Sequence, residues 1–96
     1  MDELDAGIDS RRSPMLRNYP NPFNPTTTIS MRLPVASAWT ISIYNNIGQK
    51  LDEFNGHNEA GIVSVAWDAS RYASGIYLYR FRAGDLVETR KMVLLK

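Results

Sequence analysis

The chain has 96 residues, with 11 Lys and Arg against 10 Asp and Glu and a formal charge of +1, so it is sized for a single core and carries no charge surplus that would imply polyanion binding. Nucleic acid is therefore not an expected partner. Cysteine is absent, which excludes disulfides, thiolate catalysis and thiolate metal sites, and no apolar run approaches the ~20 residues of a membrane helix.

Residues 1–13 read as linker or vector-derived sequence and are expected to be disordered. Asp2, Glu3, Asp5 and Asp9 stand against Arg11 and Arg12 with few large apolar side chains between them. Setting aside those four acids and two bases leaves +3 on the remainder, spread along the chain rather than clustered. The segment lacks the basic-then-apolar order of a signal peptide, so any export signal is expected elsewhere. The domain itself is expected over 14–96.

Asn18 to Pro25 packs three prolines and three asparagines into one run. Prolines hold an extended, polyproline-like path and asparagines bond the backbone locally, so this segment is expected to cap a sheet edge while Phe23 plugs one end of the fold. From Thr26 onward the period is that of strands. Ile29, Met31 and Leu33 alternate with Thr28, Ser30 and Arg32 until Pro34 ends the run. Trp39, Ile41 and Ile43 then alternate with Thr40, Ser42 and Tyr44, and Asn45 to Gly48 supplies a hairpin turn into a returning strand over 49–54.

Residues 55–61 are expected as a polar, glycine-bounded loop, followed by a strand in which Val63, Val65 and Trp67 alternate with Ser64 and Ala66. Asp68 to Ser74 is the next loop. Gly75 opens a long strand with Tyr77, Tyr79 and Phe81 on one face and Ile76, Leu78, Arg80 and Arg82 on the other; Gly84-Asp85 turns the chain back into a partner strand, 86–95. The sum is an all-β fold, an immunoglobulin-like antiparallel β-sandwich of about seven strands, with a small barrel as the alternative. Tyr77 stands where such sandwiches place a tyrosine whose hydroxyl ties back to an upstream backbone group.

Catalysis finds little support. His57, the single histidine, has no cue to a serine or carboxylate partner, and Asp52 and Glu53 are adjacent, so on a strand they point to opposite faces. Metal-binding spacings and glycine-rich phosphate loops are missing as well; Asp68, Ser70 and the asparagines near the front offer only scattered oxygens, and no cofactor is expected. Exposed tryptophans on a flat sheet would suit a carbohydrate-binding module, but Trp39 and Trp67 fall in register with the apolar rows and are expected in the core. Arg80 and Arg82, with Arg90 and Lys91 beside them, are candidates for a basic patch facing an anionic glycolipid or acidic receptor.

Lys91-Met92-Val93-Leu94-Leu95-Lys96 forms a lysine-bracketed strand with no tail after it, expected to be ordered up to its carboxylate and so addressable by another protein. Taken with Tyr19-Pro20-Asn21-Pro22-Phe23-Asn24-Pro25-Thr26-Thr27, Ile43-Tyr44-Asn45 before Gly48-Gln49, Ala60-Gly61, Trp67-Asp68 and Ala73-Ser74-Gly75-Ile76-Tyr77, it resembles the type A C-terminal sorting domain of the type IX (Por) secretion system, over nearly all of 16–96. The flagellar hook-capping immunoglobulin-like domain is a relative with parts of the same pattern. The resemblance implies a β-sandwich at the end of a larger secreted protein of Bacteroidetes-like bacteria, often a hydrolase, and a module without catalysis of its own. Implied partners are the N-terminal passenger, the type IX translocon that carries it through the outer membrane, and surface lipopolysaccharide.

A monomer is expected, and the same resemblance implies a module that ends at the cell surface or outside, either cleaved from its passenger or kept. It places the sorting signal in Gly75, Tyr77, Lys91, Met92, Val93, Leu94, Leu95 and Lys96, and the family's opening motif in Asn21, Pro22, Phe23, Asn24 and Pro25.

Overall fold

The computed structural model describes residues 16–96, so the expectation for 1–13, and the first residues of 14–96, lie outside the described region. Seven strands follow in order: β1 (Leu16–Tyr19), β2 (Thr26–Leu33), β3 (Ser37–Tyr44), β4 (Lys50–Asn58), β5 (Gly61–Asp68), β6 (Gly75–Ala83) and β7 (Leu86–Leu94). They form a three-stranded sheet, β1-β2-β5, and a four-stranded sheet, β4-β3-β6-β7, with every strand pair antiparallel. The described residues contain no helix. The chain alternates between layers at β2–β3, β4–β5 and β5–β6, which makes it an immunoglobulin-like sandwich rather than a closed barrel.

The alternation read from the sequence produces the core. Ile29, Met31 and Leu33 of β2 and Trp67 of β5 face Ile41 and Ile43 of β3, Tyr79 and Phe81 of β6, and Met92 and Leu94 of β7, all buried. Both tryptophans lie inside, at 8% exposure for Trp39 and 1% for Trp67. Neither indole is free to stack on a sugar ring, and both serve the core as expected. On β6, Tyr77, Tyr79 and Phe81 point inward, while on the outer face Ile76 is 45% exposed and Leu78 half-buried.

Two elements differ from expectation. β4 continues through Asn58, so the loop expected over 55–61 shrinks to a turn at Glu59 and Ala60, and His57 is an exposed strand residue opposite Ala38. The polar residues there are strand-forming because β4 is an edge with one solvated face: Asn55 accepts from Thr40 Oγ1 at 2.8 Å, and Asn58 Oδ1 accepts from Trp39 Nε1 at 2.7 Å. Gly56 permits this by lying against the indole. A Cβ built there would stand 2.5 Å from Trp39 Cζ2 and 2.8 Å from Cε2, so Gly56→Ala is expected to cost about 1–3 kcal/mol, read as a lower denaturation midpoint with blue- or red-shifted tryptophan emission. The second difference is β1, a short strand hidden in the sequence by the prolines that follow it; its Leu16 is wholly buried.

Candidate functional site

The front of the chain and its closing strand meet at one end of the sandwich. β7 is an edge strand, and the proline-asparagine segment seals the last part of that edge. The Phe23 N–H donates to the Val93 carbonyl at 2.9 Å, the Leu95 N–H donates to the Phe23 carbonyl at 3.0 Å, and the Val93 N–H donates to Asn21 Oδ1 at 3.0 Å. These bonds form a parallel bridge between Phe23 and Leu94. The edge-capping role expected of this segment is what the structure has, although its path bends instead of running extended, with the bonds before Pro20, Pro22 and Pro25 all cis.

Phe23 drives this arrangement. Its ring is 2% exposed and packs 6.0 Å from Trp67, which stacks on Tyr72 at 5.7 Å and meets Tyr77 edge-on at 5.8 Å. Among the described residues the Trp67 indole N–H has no hydrogen-bond partner, and the ring contacts are what the structure shows around it. Tyr77 donates its hydroxyl to the Ala73 carbonyl at 2.5 Å, the upstream tie expected of it. Gly75, at the head of β6, has φ 156°, a conformation that side-chain-bearing residues rarely adopt. Pro25 contributes its carbonyl, which accepts from the Ala69 N–H at 2.9 Å, while Pro22 and Asn24 are exposed.

The six closing residues divide between the end of β7, Lys91 to Leu94, and two residues beyond it. Met92 and Leu94 are fully buried and serve the core. Lys91 and Val93 lie on the opposite face of β7, Lys91 exposed and Val93 half-buried; the strand stops at Leu94 instead of running to Lys96 as expected, and Leu95 (56% exposed) and Lys96 follow it as exposed residues. Lys96 is tied down: its N–H donates to Ser74 Oγ at 2.9 Å and its Nζ to the Ser70 carbonyl at 2.6 Å. Asp68 sits nearby, its carboxylate held below the ordinary range by the Ser70 N–H and hydroxyl and, more weakly, by Arg71 and Lys96.

Sequence reasoning missed a polar network that anchors the front segment. Tyr79 donates to Asn18 Oδ1 at 3.0 Å; Asn18 Nδ2 donates to Thr27 Oγ1 at 3.1 Å; and the Thr27 hydroxyl donates to the Pro20 carbonyl at 2.9 Å. Thr27 is 1% exposed, so its hydroxyl had to find partners, and the only signal in the sequence was a threonine on the inward row of β2. Burial pushes the Tyr79 hydroxyl up to about 12, opposed by Arg90 and reinforced by Glu88. The neutral phenol is thus the native form, and its contribution is complete below pH 10, the ordinary value, and lost as pH rises toward 12. Stability is expected to fall by about 2 kcal/mol across that window and to fall less in Tyr79→Phe, measured by urea midpoints at successive pH values.

The proposed basic patch of Arg80, Arg82, Arg90 and Lys91 is split by register. Arg90 pairs with Tyr79 and Glu88 with Phe81, which puts these two of the three charged residues of β7 on the inward row at the sheet edge; Arg80 and Arg82 lie on the outer face with the third, Lys91. Asp52 and Glu53 stand opposite Ile43 and Ser42, on opposite faces of β4. Among the described residues no group of three or more His, Cys, Asp or Glu is placed to hold a metal.

A two-sheet antiparallel sandwich whose front segment clips the edge of its closing strand defines the structural class, and comparison with known proteins gives the family. The sequence matches the secretion system C-terminal sorting domain over residues 17–95, and the chain belongs to that family, a non-catalytic sorting module of type IX secretion. No curated protein sequence matches it. Among solved structures, the fold is similar to part of dimeric latent PorU from Porphyromonas gingivalis, with a TM-score of 0.65 and 18% identity, covering 83% of this chain. The chain spans 9% of the length of that protein.

Proposed function

We propose that the module is the terminal address label of a larger secreted protein, often a hydrolase in such systems, and that the type IX machinery reads it to carry the passenger through the outer membrane to the surface or beyond. The family match over 17–95 is the observation that carries this reading. Burial favours Lys91, Val93, Leu95 and Lys96 as the surface that is read, because the neighbouring Met92 and Leu94 are committed to the core. Gly75, Tyr77 and the motif Asn21 to Pro25 then act by holding that surface in place. The module works as a monomer, with surface lipopolysaccharide as the site of final attachment.

The test fuses residues 14–96 to a fluorescent periplasmic cargo in a type IX-competent bacterium. The fusion is expected outside the cell, and a variant carrying Lys91→Glu, Val93→Ser, Leu95→Ser and Lys96→Glu is expected to stay in the periplasm while its purified module keeps the native circular dichroism. Cargo retained with the unaltered module would overturn the sorting role; normal export of the four-site variant would overturn the assignment of that surface.

A further inference from the structure

The outer face of the four-stranded sheet carries an open groove of about 250 Å³ between β4, β3 and β6. Ser42, at 7% exposure, lies on its floor, with Arg80 opposite it on β6 and Glu53 opposite it on β4; Arg82 stands opposite Thr40 one step along. The Arg80 guanidinium is 5.5 Å from the centre of the Tyr44 ring, which limits the positions the side chain takes. Glu53 is neutralised where it stands: Lys50 binds it, Asn55 adds a second hydrogen bond, and both hold its carboxyl below the ordinary range. Among the described residues neither Arg80 nor Arg82 is in an ion pair, the pairs there being Lys50–Glu53 and Arg90–Glu88.

We propose that this groove binds the phosphate group of a small ligand or lipid headgroup, clamped by Arg80 and Arg82 with the Ser42 hydroxyl donating from the floor. Guanidinium forks match the oxygens of a phosphate, and two of them two residues apart on one strand face the same way. The volume is below that of a drug-sized site, which suits one anionic group and a sugar-sized neighbour and leaves no room for an extended acidic peptide. The Thr40 hydroxyl already donates to Asn55, so it shapes the wall without competing for the anion. Nothing in this inference depends on the sorting role.

The 96-residue chain is titrated with inorganic phosphate and with glucose 6-phosphate by calorimetry and amide chemical shifts, and floated with vesicles of phosphatidylglycerol or phosphatidylcholine. Saturable phosphate or sugar-phosphate binding near about 1 mM, with shifts confined to β3, β4 and β6, is the expected result. Co-flotation with phosphatidylglycerol alone would identify the headgroup as the source, and soluble binding without flotation the free phosphate. Arg80→Gln with Arg82→Gln is expected to weaken binding roughly tenfold, and Arg32→Gln with Arg71→Gln, which removes equal charge from exposed sites outside the groove, to leave it unchanged. Equal weakening by both pairs, no saturable binding to any phosphate probe, or binding of a glutamate-rich peptide in place of phosphate would overturn the proposal.

Discussion

Phe23→Ala is expected to lower the stability of the module by about 3–5 kcal/mol, the range for removing a fully buried phenylalanine. Small domains have about 5–15 kcal/mol in all, so the variant would sit close to its unfolding threshold at 37 °C. The cost has two parts. One is the cavity beside Trp67, where Tyr72 and Tyr77 are braced by their own contacts and are not free to fill the gap. The other is the loss of the side chain that holds the Phe23 backbone against Val93 and Leu95, since Phe23 is the buried residue of that segment, between exposed Pro22 and Asn24. Urea midpoints followed by tryptophan fluorescence measure the first part. Amide exchange at Val93 and Leu95 measures the second, and both amides are expected to lose protection ahead of Tyr79 and Phe81. A midpoint shift equivalent to less than about 1 kcal/mol would mean that the front segment decorates the fold without supporting it.

What the sequence revealed depended on how far each feature is local. Strands β2, β3, β5 and β6 announce themselves because an apolar side chain at every second position needs no knowledge of its neighbours, and their inner rows are unbroken. Tyr77 was legible for the same reason, as its hydrogen bond reaches back only four residues, to Ala73. β1 and the end of β4 were not, because edge strands with polar residues lose the alternation that burial imposes. The charged pair on β7 misled in a related way: only the register with β6 reveals that Arg90 faces inward beside Tyr79, and register is a property of two strands together. Asn18 and Tyr79, bonded across 61 residues, lie beyond any window along the chain. The edge clip was foreseen from prolines and asparagines that deny an edge to other strands, while its partners on β7 were fixed only by the fold.

Deleting Met92 to Lys96 is expected to abolish export of a fused passenger, but for a reason the four-site variant is built to separate from recognition. The deletion removes two fully buried side chains, each worth about 2–5 kcal/mol in a core, together with the acceptor and donor that Phe23 uses on β7. Gly75 and Tyr77 lose their strand partners, Leu94 and Met92, at the same stroke. Against a total of about 5–15 kcal/mol, the truncated module is expected to be largely unfolded, with exposed core and rapid proteolysis. A passenger trapped by the deletion therefore reports the need for a folded module, while one trapped by changing Lys91, Val93, Leu95 and Lys96 reports the need for that surface. The pair of results has a definite order: the deletion should lose the cooperative thermal transition and export together, and the surface variant should lose export alone. If the deleted module still melts cooperatively near the temperature of the intact one, β7 does not hold the core together in the way its buried row requires.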